Sequence, residues 1–388
     1  MTNDSNPQEW KECKLSEVAR LVKDTYKPKT GDHLPYIGLE HIQEQGLRLL
    51  SIGDSDSVTS QKFYFKYNDV LFGKLRPYFR KVVKPNFAGV CSTDIWVVRA
   101  VEGNDQDFIF YFFANQELVD TANSGDSGTR MPRADWHFVK DTIWQFPPLP
   151  EQRAIAGVLS SLDDKIDLLH RQNKTLEEMA EALWRKMFVE EVDPGWKKGK
   201  LGDYGEFKNG INYSRNESGD AEYSILNVRD IVESKYMNVS NFEIISINKG
   251  KATPYLLEKG DIVIVRSASP GESLIVLEQI DNLIYSGFSI RLRCYDKENS
   301  LFLFQFLQSY KKEMDIFSDG TTLKNINQEI LNNIELITPE KAAVKEFNDR
   351  VVCIYNKILL NQGQIRTITR LRDTLLPKLM SGEVRVRI

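Results

Sequence analysis

Residues 155–187 read IAGVLSSLDDKIDLLHRQNKTLEEMAEALWRKM, and their apolar side chains recur at alternating intervals of four and three residues. This spacing is the heptad repeat of a coiled coil, in which one stripe of side chains faces a partner helix. Pro150 stands at the start of the pattern, where a helix tolerates proline, and Asp193-Pro-Gly195 ends it. The predicted stripe comprises Ile155, Leu159, Leu162, Ile166, Leu169, Asn173, Leu176, Ala180, Leu183 and Met187.

A second stripe with the same spacing lies near the end of the sequence. Five heptads favour pairing over a lone amphipathic helix in solvent, and the matching lengths make each stripe the natural partner of the other. At ~1.5 Å rise per residue each helix would be about 55 Å long, so we expect a rod that holds two binding surfaces a fixed distance apart. The second stripe comprises Val344, Phe347, Val351, Ile354, Ile358, Asn361, Ile365, Ile368, Arg372, Leu375 and Leu379.

One asparagine interrupts each stripe near its middle, Asn173 in the first and Asn361 in the second. A buried asparagine fixes the register of a coiled coil, because slippage leaves its amide unpaired. Each residue could equally lie at the edge of the seam, in contact with water. If the two helices run antiparallel, their midpoints coincide and the two amides can meet.

The sequence also repeats itself at an offset of about half its length. Lys14-Leu15 reappears as Lys200-Leu201, and Asp69-Val-Leu-Phe72 reappears as Asp261-Ile-Val-Ile264. The offset drifts only from 186 to 192 residues and the matches keep their order, which indicates a duplicated unit. Each copy consists of a globular segment followed by a long helix.

The globular segments mix strand-like and loop-like runs. Ile95-Trp-Val-Val98 is typical of a buried strand, and Asn123–Gly128 is typical of a loop. We therefore predict an α+β fold in which two similar globular α/β domains are separated by a long antiparallel two-helix coiled coil, with a pseudo-twofold internal repeat. The predicted boundaries are 1–148 for the first domain, 149–190 for the first helix, 191–338 for the second domain and 339–388 for the second helix.

The composition excludes several classes of protein. An apolar fraction of 41% over 388 residues supplies folded cores and excludes a mainly disordered chain. A net charge of −4 excludes a uniformly basic coat, so a nucleic-acid site would have to concentrate positive charge locally. Four cysteines without CxxC spacing, no apolar run of membrane length and no signal-like start favour a cytoplasmic protein with no membrane partner.

One stretch does concentrate positive charge. Residues 70–93 carry five basic side chains and no acidic one, with Gly73 and Pro77 shaping a loop among them. A solvated strand-and-turn face explains this equally well, but basic and aromatic side chains on a shaped loop are also typical of DNA contacts. We predict such contacts from Lys74, Arg76, Tyr78 and Arg80, and from Arg266 and Ser267 at the equivalent place in the second copy.

A glycine-rich loop follows in each copy. The loops are Gly125–Arg133 and Ser318–Asn325, and each contains a Gly-Thr pair and a basic side chain near its end. Glycine lets the backbone approach a phosphate and small hydroxyls can contact it, although the spacing also fits ordinary turns. The predicted DNA contacts are Gly128, Thr129, Arg130, Arg133, Gly320, Thr321 and Lys324, with Arg130 and Lys324 expected nearest the bases.

The sequence lacks familiar catalytic and metal-binding patterns. It has no GxxxxGK[ST] phosphate loop, no GxSxG elbow and no HExxH helix, and its four histidines form no metal-ligand pattern. We therefore predict a binding protein without an active site, a metal or a cofactor of its own.

Two segments bracket the predicted helices in a distinctive way. Pro147-Pro-Leu-Pro-Glu-Gln-Arg153 leads into the first helix, and Leu371-Arg-Asp-Thr-Leu-Leu-Pro-Lys-Leu-Met-Ser-Gly-Glu383 closes the second. Together with Asp69–Pro77 and Gly128-Thr129, they resemble the specificity (S) subunit of type I restriction–modification enzymes over essentially the whole chain. The second helix departs from the pattern, because it begins with Thr338-Pro-Glu-Lys341.

The resemblance implies a function and a set of partners. In that family two target-recognition domains each read half of a split site in double-stranded DNA. The paired helices separate these domains and dock methyltransferase (M) subunits, through which restriction (R) subunits join. By analogy, S-adenosylmethionine, ATP and Mg²⁺ would be bound by those partner subunits.

The residues alone leave two other classes of protein open. A structural adaptor would recruit proteins with its coiled coil and bind peptides with its globular domains, and the net acidity favours it slightly. A nuclease or methyltransferase acting alone would bind its own cofactor. A gel shift on random duplex DNA distinguishes the adaptor from a DNA-recognition subunit, since an adaptor retains no DNA.

Overall fold

A computed structural model describes residues 9–29, 31–124, 131–214, 217–233, 242–317 and 325–387. The chain divides into two units. Unit 1 comprises Met1–Ile166 and Thr367–Ile388, and unit 2 comprises Asp167–Arg366. Each unit therefore contains one end of each of the two long helices.

Unit 1 is built from short strands, short helices and the ends of the long helices. Its strands are β1 (Lys11–Lys14), β2 (Ala19–Val22), β3 (Thr25–Tyr26), β4 (Pro35–Ile37), β5 (Gly53–Asp54), β6 (Lys62–Phe65), β7 (Val70–Gly73), β8 (Val82–Val83), β9 (Gly89–Cys91), β10 (Ile95–Ala100) and β11 (Ile143–Phe146). Its helices are α1 (Leu15–Val18), α2 (Gln106–Ala114), α3 (Gln116–Ser124), α4 (Trp136–Val139) and the first part of α5 (Leu149–Arg185).

Unit 2 has the same kinds of element in a similar order. Its strands are β12 (Lys197–Lys200), β13 (Gly205–Asn209), β14 (Ala221–Leu226), β15 (Glu243–Ile247), β16 (Ile262–Val265), β17 (Ser273–Ile275), β18 (Leu283–Tyr285), β19 (Ser289–Cys294) and β20 (Glu335–Thr338). Its helices are α6 (Val228–Glu233), α7 (Lys249–Ala252), α8 (Ser300–Phe317), α9 (Gln328–Asn333) and most of α10 (Lys341–Met380), together with the end of α5 and the π-helical turn Lys186–Glu190 that follows it.

The sheets of the two units correspond, except that β3 and β6 of unit 1 have no counterpart among the described strands of unit 2. An antiparallel sheet has the order β2-β10-β7-β8 in unit 1 and β13-β19-β16-β17 in unit 2. A mixed sheet has the order β5-β4-β9-β6-β3 in unit 1 and β15-β14-β18 in unit 2, so that β5, β4 and β9 correspond to β15, β14 and β18. A separate antiparallel pair joins β1 to β11 in unit 1 and β12 to β20 in unit 2. This correspondence confirms the predicted α+β class and internal repeat.

The central strands are apolar along their whole length because both of their faces are covered. Every residue of β7 and of β16 is buried. In unit 1 the phenylalanine-rich helix α2 packs on this sheet, and α8 does so in unit 2. Burial on both faces explains why these strands read as continuous apolar runs in the sequence.

A buried ion pair fixes the start of the equivalent strand in each unit. In unit 1 the Nη2 of Arg99 lies 2.8 Å from Asp69 Oδ2, and in unit 2 the Nη2 of Arg293 lies 2.6 Å from Asp261 Oδ2. Each arginine makes a second bond through Nε, so both pairs are bidentate. The hydrogen bond to Asp69 raises the pKa of Arg99, and the bond to Asp261 raises the pKa of Arg293.

Within unit 1 the ends of α5 and α10 pack side by side. Ile155 and Leu159 of α5 share a core with Leu376 and Leu379 of α10. Arg372, which occupies an apolar position of the heptad, is buried and donates through Nη1 to Asp163 Oδ1 at 2.7 Å. The hydroxyl of Tyr111 donates to the other oxygen of Asp163 at 2.7 Å, so the buried charges are hydrogen-bonded.

Within unit 2 the other parts of the same helices also pack together. Nδ2 of Asn361 donates to Oδ1 of Asn173 at 2.8 Å, and both residues are buried. Phe188, in the turn after α5, contacts Phe347 of α10 with ring centroids 5.5 Å apart. Later residues on one segment thus meet earlier residues on the other, so the helices run antiparallel and the two amides meet as predicted.

The other seam residues differ in burial. Ile166, Leu169, Ile354 and Ile358 are buried, whereas Leu162, Leu176, Ile365 and Ile368 are only partly buried. The helices α5 and α10 begin close to the predicted residues 149 and 339. The role of the paired helices as a rod between two binding surfaces stays a prediction.

Candidate nucleic-acid interface

In unit 1 the basic loop that the sequence singles out lies beside residues 132–134, at the described end of the glycine-rich loop. Strand β7 ends at Gly73, and the backbone then runs against the segment that follows the glycine-rich loop. The N–H of Arg76 donates to the carbonyl of Pro132, and the N–H of Ala134 donates to the carbonyl of Lys74, both at 2.8 Å. The Lys74–Arg76 loop and residues 132–134 therefore form one continuous surface element, which we call the junction.

Positive charge accumulates at this junction. The side chain of Arg133 is exposed, and its Nη2 lies 3.5 Å from Oδ1 of Asp94. Partial burial lowers the pKa of Lys74, Asp94 opposes that effect, and the positive charges of Arg133 and Lys23 lower the pKa further. An anion bound here would relieve the repulsion among the three cations, so the arrangement suits a phosphate group.

Arg76 and Tyr78 are accessible at the same junction. Arg76 is partly buried and has a left-handed backbone with φ of 52°, and Tyr78 follows it in the 3₁₀ turn Pro77–Phe79. Tyr78 is 40% exposed. A cation and an aromatic ring are thus available to a ligand within three residues of each other.

Arg80 differs from the other predicted contacts of this loop because it is buried, and its role as a DNA contact stays a prediction. Only 9% of Arg80 is exposed. Its Nη2 donates to the carbonyl of Gln45 at 2.6 Å and lies 3.8 Å from Oδ1 of Asp373 in α10. Burial lowers the pKa of this guanidinium. Arg80 braces the loop against two neighbouring elements.

Unit 2 reproduces one of the two backbone bonds of the junction and the bridge beside it. The N–H of Ile326 donates to the carbonyl of Arg266 at 2.8 Å, as the N–H of Ala134 does to Lys74. Ser267 pairs with Asn325 in the way that Leu75 pairs with Arg133. Ala268, the equivalent of Arg76, also has a left-handed backbone, with φ of 70°. The predicted equivalence of Arg266 and Lys74 is thereby confirmed, and both Arg266 and Ser267 are partly buried.

Six of the predicted contacts lie outside the described residues. They are Gly128, Thr129, Arg130, Gly320, Thr321 and Lys324. The described residues that flank these loops, Met131 and Asn325, lie next to the two junctions.

Several residues near the junctions were missed by the sequence reasoning. Lys23 lies close enough to Lys74 to affect its pKa, and Met131 is 56% exposed beside Pro132. Gln45 holds the 3₁₀ turn by accepting from Arg80 and by donating its side-chain amide to the carbonyl of Tyr78 at 2.7 Å. Phe288, which is 65% exposed, accepts the N–H of Arg266. Only Phe288 carried a signal, as an aromatic residue in the turn Ser286-Gly-Phe-Ser289 between two apolar strands.

The part of the chain that the structure describes contains no group of three or more His, Cys, Asp or Glu side chains that could hold a metal ion. Over the same described ranges, no helix combines the length and apolarity needed to cross a membrane. The described features of the two junctions are backbone hydrogen bonds, basic side chains such as Lys74, Arg133 and Arg266, and the exposed residues Tyr78 and Phe288.

Comparisons with known proteins agree on one family. The family model for the type I restriction modification DNA specificity domain matches residues 7–178 and again residues 194–370. The MjaIX specificity subunit of a type I restriction enzyme from Methanocaldococcus jannaschii is 26% identical over 310 residues, which cover 74% of this chain and 70% of that protein.

Two further proteins match over nearly the whole chain. The HindI specificity subunit of a type I restriction enzyme from Haemophilus influenzae is 22% identical to this chain, and the aligned region covers 97% of this chain and 100% of that protein. A crystal structure of a type I restriction-modification S subunit from M. genitalium has a TM-score of 0.53 at 16% identity, covering 98% of each chain. At 16% identity, the similarity to the M. genitalium structure shows a shared fold.

Proposed function

This chain belongs to the type I restriction modification DNA specificity family, and from that membership we propose that it is the DNA-recognition subunit of a type I restriction–modification enzyme. Each unit would read one half of a split site in double-stranded DNA. The alternative of a coiled-coil adaptor with peptide-binding domains is not supported by the comparisons.

The observation that carries the proposal is the duplicated junction. Two separate units hold a strand end and the segment after a glycine-rich loop together by equivalent backbone hydrogen bonds, at Lys74 in one and Arg266 in the other. A duplicated surface with basic side chains suits a ligand that offers phosphates at two places. Phosphate contacts would position the DNA, and base-edge contacts from the adjacent loops would supply specificity.

The proposal extends to partners that this family implies. The paired helices α5 and α10 would dock M subunits, and R subunits would join through them. S-adenosylmethionine, ATP and Mg²⁺ would be bound by those subunits, and this chain would contribute no catalytic group. The buried seam pairs Asn173–Asn361 and Asp163–Arg372 leave the outward faces of the helices available for docking.

A salt titration tests the DNA-binding surface. We expect the Lys74→Ala, Arg76→Ala double variant to bind duplex DNA more weakly, because fewer phosphates are neutralised. The slope of log affinity against log salt should fall by about one unit for each phosphate that the variant no longer neutralises. Fluorescence anisotropy on the full chain assembled with its M subunits measures both quantities.

The matched control is Lys66→Ala, which removes an exposed lysine between β6 and β7, at the opposite end of β7 from the junction. It should leave the salt slope unchanged. An unaltered slope in the double variant would remove the Lys74–Arg76 loop from the interface.

A further inference from the structure

Phe288 is an exposed aromatic residue at the junction of unit 2. It directly precedes β19 and is 65% exposed, and its carbonyl oxygen accepts the N–H of Arg266 at 3.0 Å. The residue is therefore fixed to the same backbone that carries the proposed phosphate contact.

The turn that carries Phe288 is well ordered by hydrogen bonds. The N–H of Gly287 donates to the carbonyl of Ile211 at 2.8 Å, and the N–H of Ser289 donates to the carbonyl of Ser286 at 3.0 Å. Ser286 is buried and pairs with Ile211 in a parallel bridge. The backbone thus holds an apolar residue in solvent at a defined position, where it contributes little to the folded core.

The equivalent position in unit 1 holds a different chemistry. The N–H of Lys74 donates to the carbonyl of Asp94 at 2.9 Å, as the N–H of Arg266 does to Phe288. The carboxylate of Asp94 faces Arg133, and the equivalent of Arg133 in unit 2 is Asn325. Where unit 1 has an ion pair, unit 2 has an exposed ring and an amide on the same backbone frame.

We propose that Phe288 is a specificity-determining residue that stacks on, or inserts beside, one base step of the duplex bound by unit 2. Aromatic side chains stack on bases, and apolar side chains wedge between base steps and kink the duplex. Arg266 would neutralise a phosphate next to the same step. A protein partner is less suited to this position, because Arg266 and the polar turn around Phe288 offer no broad apolar patch.

The inference rests on the proposed function and predicts an asymmetry between the two half-sites. Pyrimidine–purine steps unstack most easily, so the half-site read by unit 2 would favour such a step at the position of Phe288. Unit 1, with the Asp94–Arg133 pair at the equivalent place, would show no such preference.

The test uses the full chain assembled with its M subunits and a duplex selected from a random pool by the wild-type complex. The adenine analogue 2-aminopurine replaces each adenine of the selected site in turn, because its fluorescence rises when a base is unstacked. For the wild type we expect a rise at the bases that the M subunits extrude and at one further step in the half-site of unit 2. Phe288→Ala should abolish the rise at that further step only and weaken binding by about 5- to 150-fold, the range for removing one aromatic ring that stacks on a base.

Two further variants separate stacking from general effects. Phe288→Trp keeps an aromatic face and should keep the fluorescence rise. Tyr295→Ala removes a ring that is 75% exposed just beyond the far end of β19, about 20 Å away along the strand, and should change neither measurement.

The outcomes distinguish the inference from the proposed function. Unchanged fluorescence and affinity in Phe288→Ala, with weaker binding in Arg266→Ala, would overturn the role of Phe288 and leave the recognition function intact. Loss of M-subunit assembly in Phe288→Ala would make the ring a protein contact and would also overturn the inference. A wild-type complex that enriches no duplex from the pool would contradict the proposed function itself.

Discussion

Arg76 and Ala268 share a left-handed backbone conformation, with φ of 52° and 70°. This conformation costs roughly 1–2 kcal/mol for a residue with a Cβ atom. Both residues stand at the place where the chain leaves the central sheet and meets the segment after the glycine-rich loop. Because the cost is incurred in both units although the two side chains differ, the backbone path of the junction matters independently of the side chain it carries.

Lys74 should make DNA binding sensitive to alkaline pH. Burial, together with Arg133 and Lys23, lowers its pKa, so it loses its proton at a lower pH than an ordinary lysine. Its attraction for a phosphate is complete below the lowered pKa and disappears as the pH rises through it. Affinity measured at constant ionic strength between roughly pH 7 and pH 10 should therefore fall towards the alkaline end.

The matched variant for this prediction is Lys74→Arg, because arginine keeps its charge over that range. It should flatten the pH profile, whereas Lys23→Ala should move the fall in affinity towards higher pH. A profile that Lys74→Arg leaves unaltered would assign the pH dependence to another group.

Arg80 should matter for stability more than for direct DNA contact. Arg80→Ala leaves the carbonyl of Gln45 without its buried donor, and we expect it to lower the free energy of unfolding by about 1–3 kcal/mol. Arg133→Ala, at an exposed side chain, should change it by less than about 0.5 kcal/mol. Thermal unfolding of the two variants compares them, and equal stabilities would show that Arg80 braces nothing.

The helices α5 and α10 carry a different polar pair in each unit. Arg372 and Asp163 form a buried ion pair in unit 1, and Asn361 and Asn173 form an amide hydrogen bond in unit 2. Each pair costs desolvation, and each leaves an unpaired buried group if the helices slip. The polar residues of the seam therefore select one antiparallel register among those that the apolar residues alone would allow.

Replacing both seam asparagines should raise the melting temperature and allow the two helices to pair in more than one register. In the Asn173→Ile, Asn361→Ile double variant both amides are gone, so we expect a higher melting temperature and more than one species by size-exclusion chromatography and native mass spectrometry. Asn361→Ile alone should cost about 1–3 kcal/mol, because it leaves the buried amide of Asn173 unpaired.

The control for this pair is Ile358→Val, an apolar change at the same seam that should cost about 0.5–1.5 kcal/mol without affecting register. A double variant that is less stable than the wild type and remains a single species would show that the asparagines have another role.

The helices were predictable because a heptad is a local pattern that persists over many turns, and the repeat was predictable because equivalent residues kept their spacing. The site was only partly predictable. Arg80 and Arg133 look alike in the sequence, but tertiary contacts with Gln45 and Asp373 bury only Arg80. The junction itself joins residues far apart in the sequence, such as Lys74 and Ala134, and a local pattern carries no information about such a pairing.

At the level of the whole molecule, a net charge of −4 coexists with a basic junction in unit 1 and with Arg266 at the equivalent place in unit 2. This distribution suits a protein that binds DNA at defined places and avoids a general coat of positive charge. The two units share the order of the four-stranded sheet and the backbone bond at Lys74 or Arg266. They differ at Asp94 and Phe288 and in the number of strands described for the mixed sheet. A shared frame with different side chains suits the proposed reading of two half-sites.

Exchanging one domain should change one half-site only. If residues 191–338 are replaced by the same segment of a related specificity subunit, we expect the half-site read by unit 1 to persist and the other to change. Methylome sequencing of cells that carry the chimaera with its M subunits measures this. The reciprocal exchange of residues 1–148 is the control, and a chimaera in which both halves change would contradict modular reading.

The single bond between Asn361 and Asn173 also has a consequence for how the two copies can diverge. The amide N–H of Asn361 donates to the amide oxygen of Asn173, so the second copy supplies the donor and the first the acceptor although both carry asparagine. An ionised carboxylate can replace the acceptor but not the donor. Aspartate at 173 would keep the acceptor but bury a charge, whereas aspartate at 361 would bury a charge and also remove the donor, so the two copies are not interchangeable at this point.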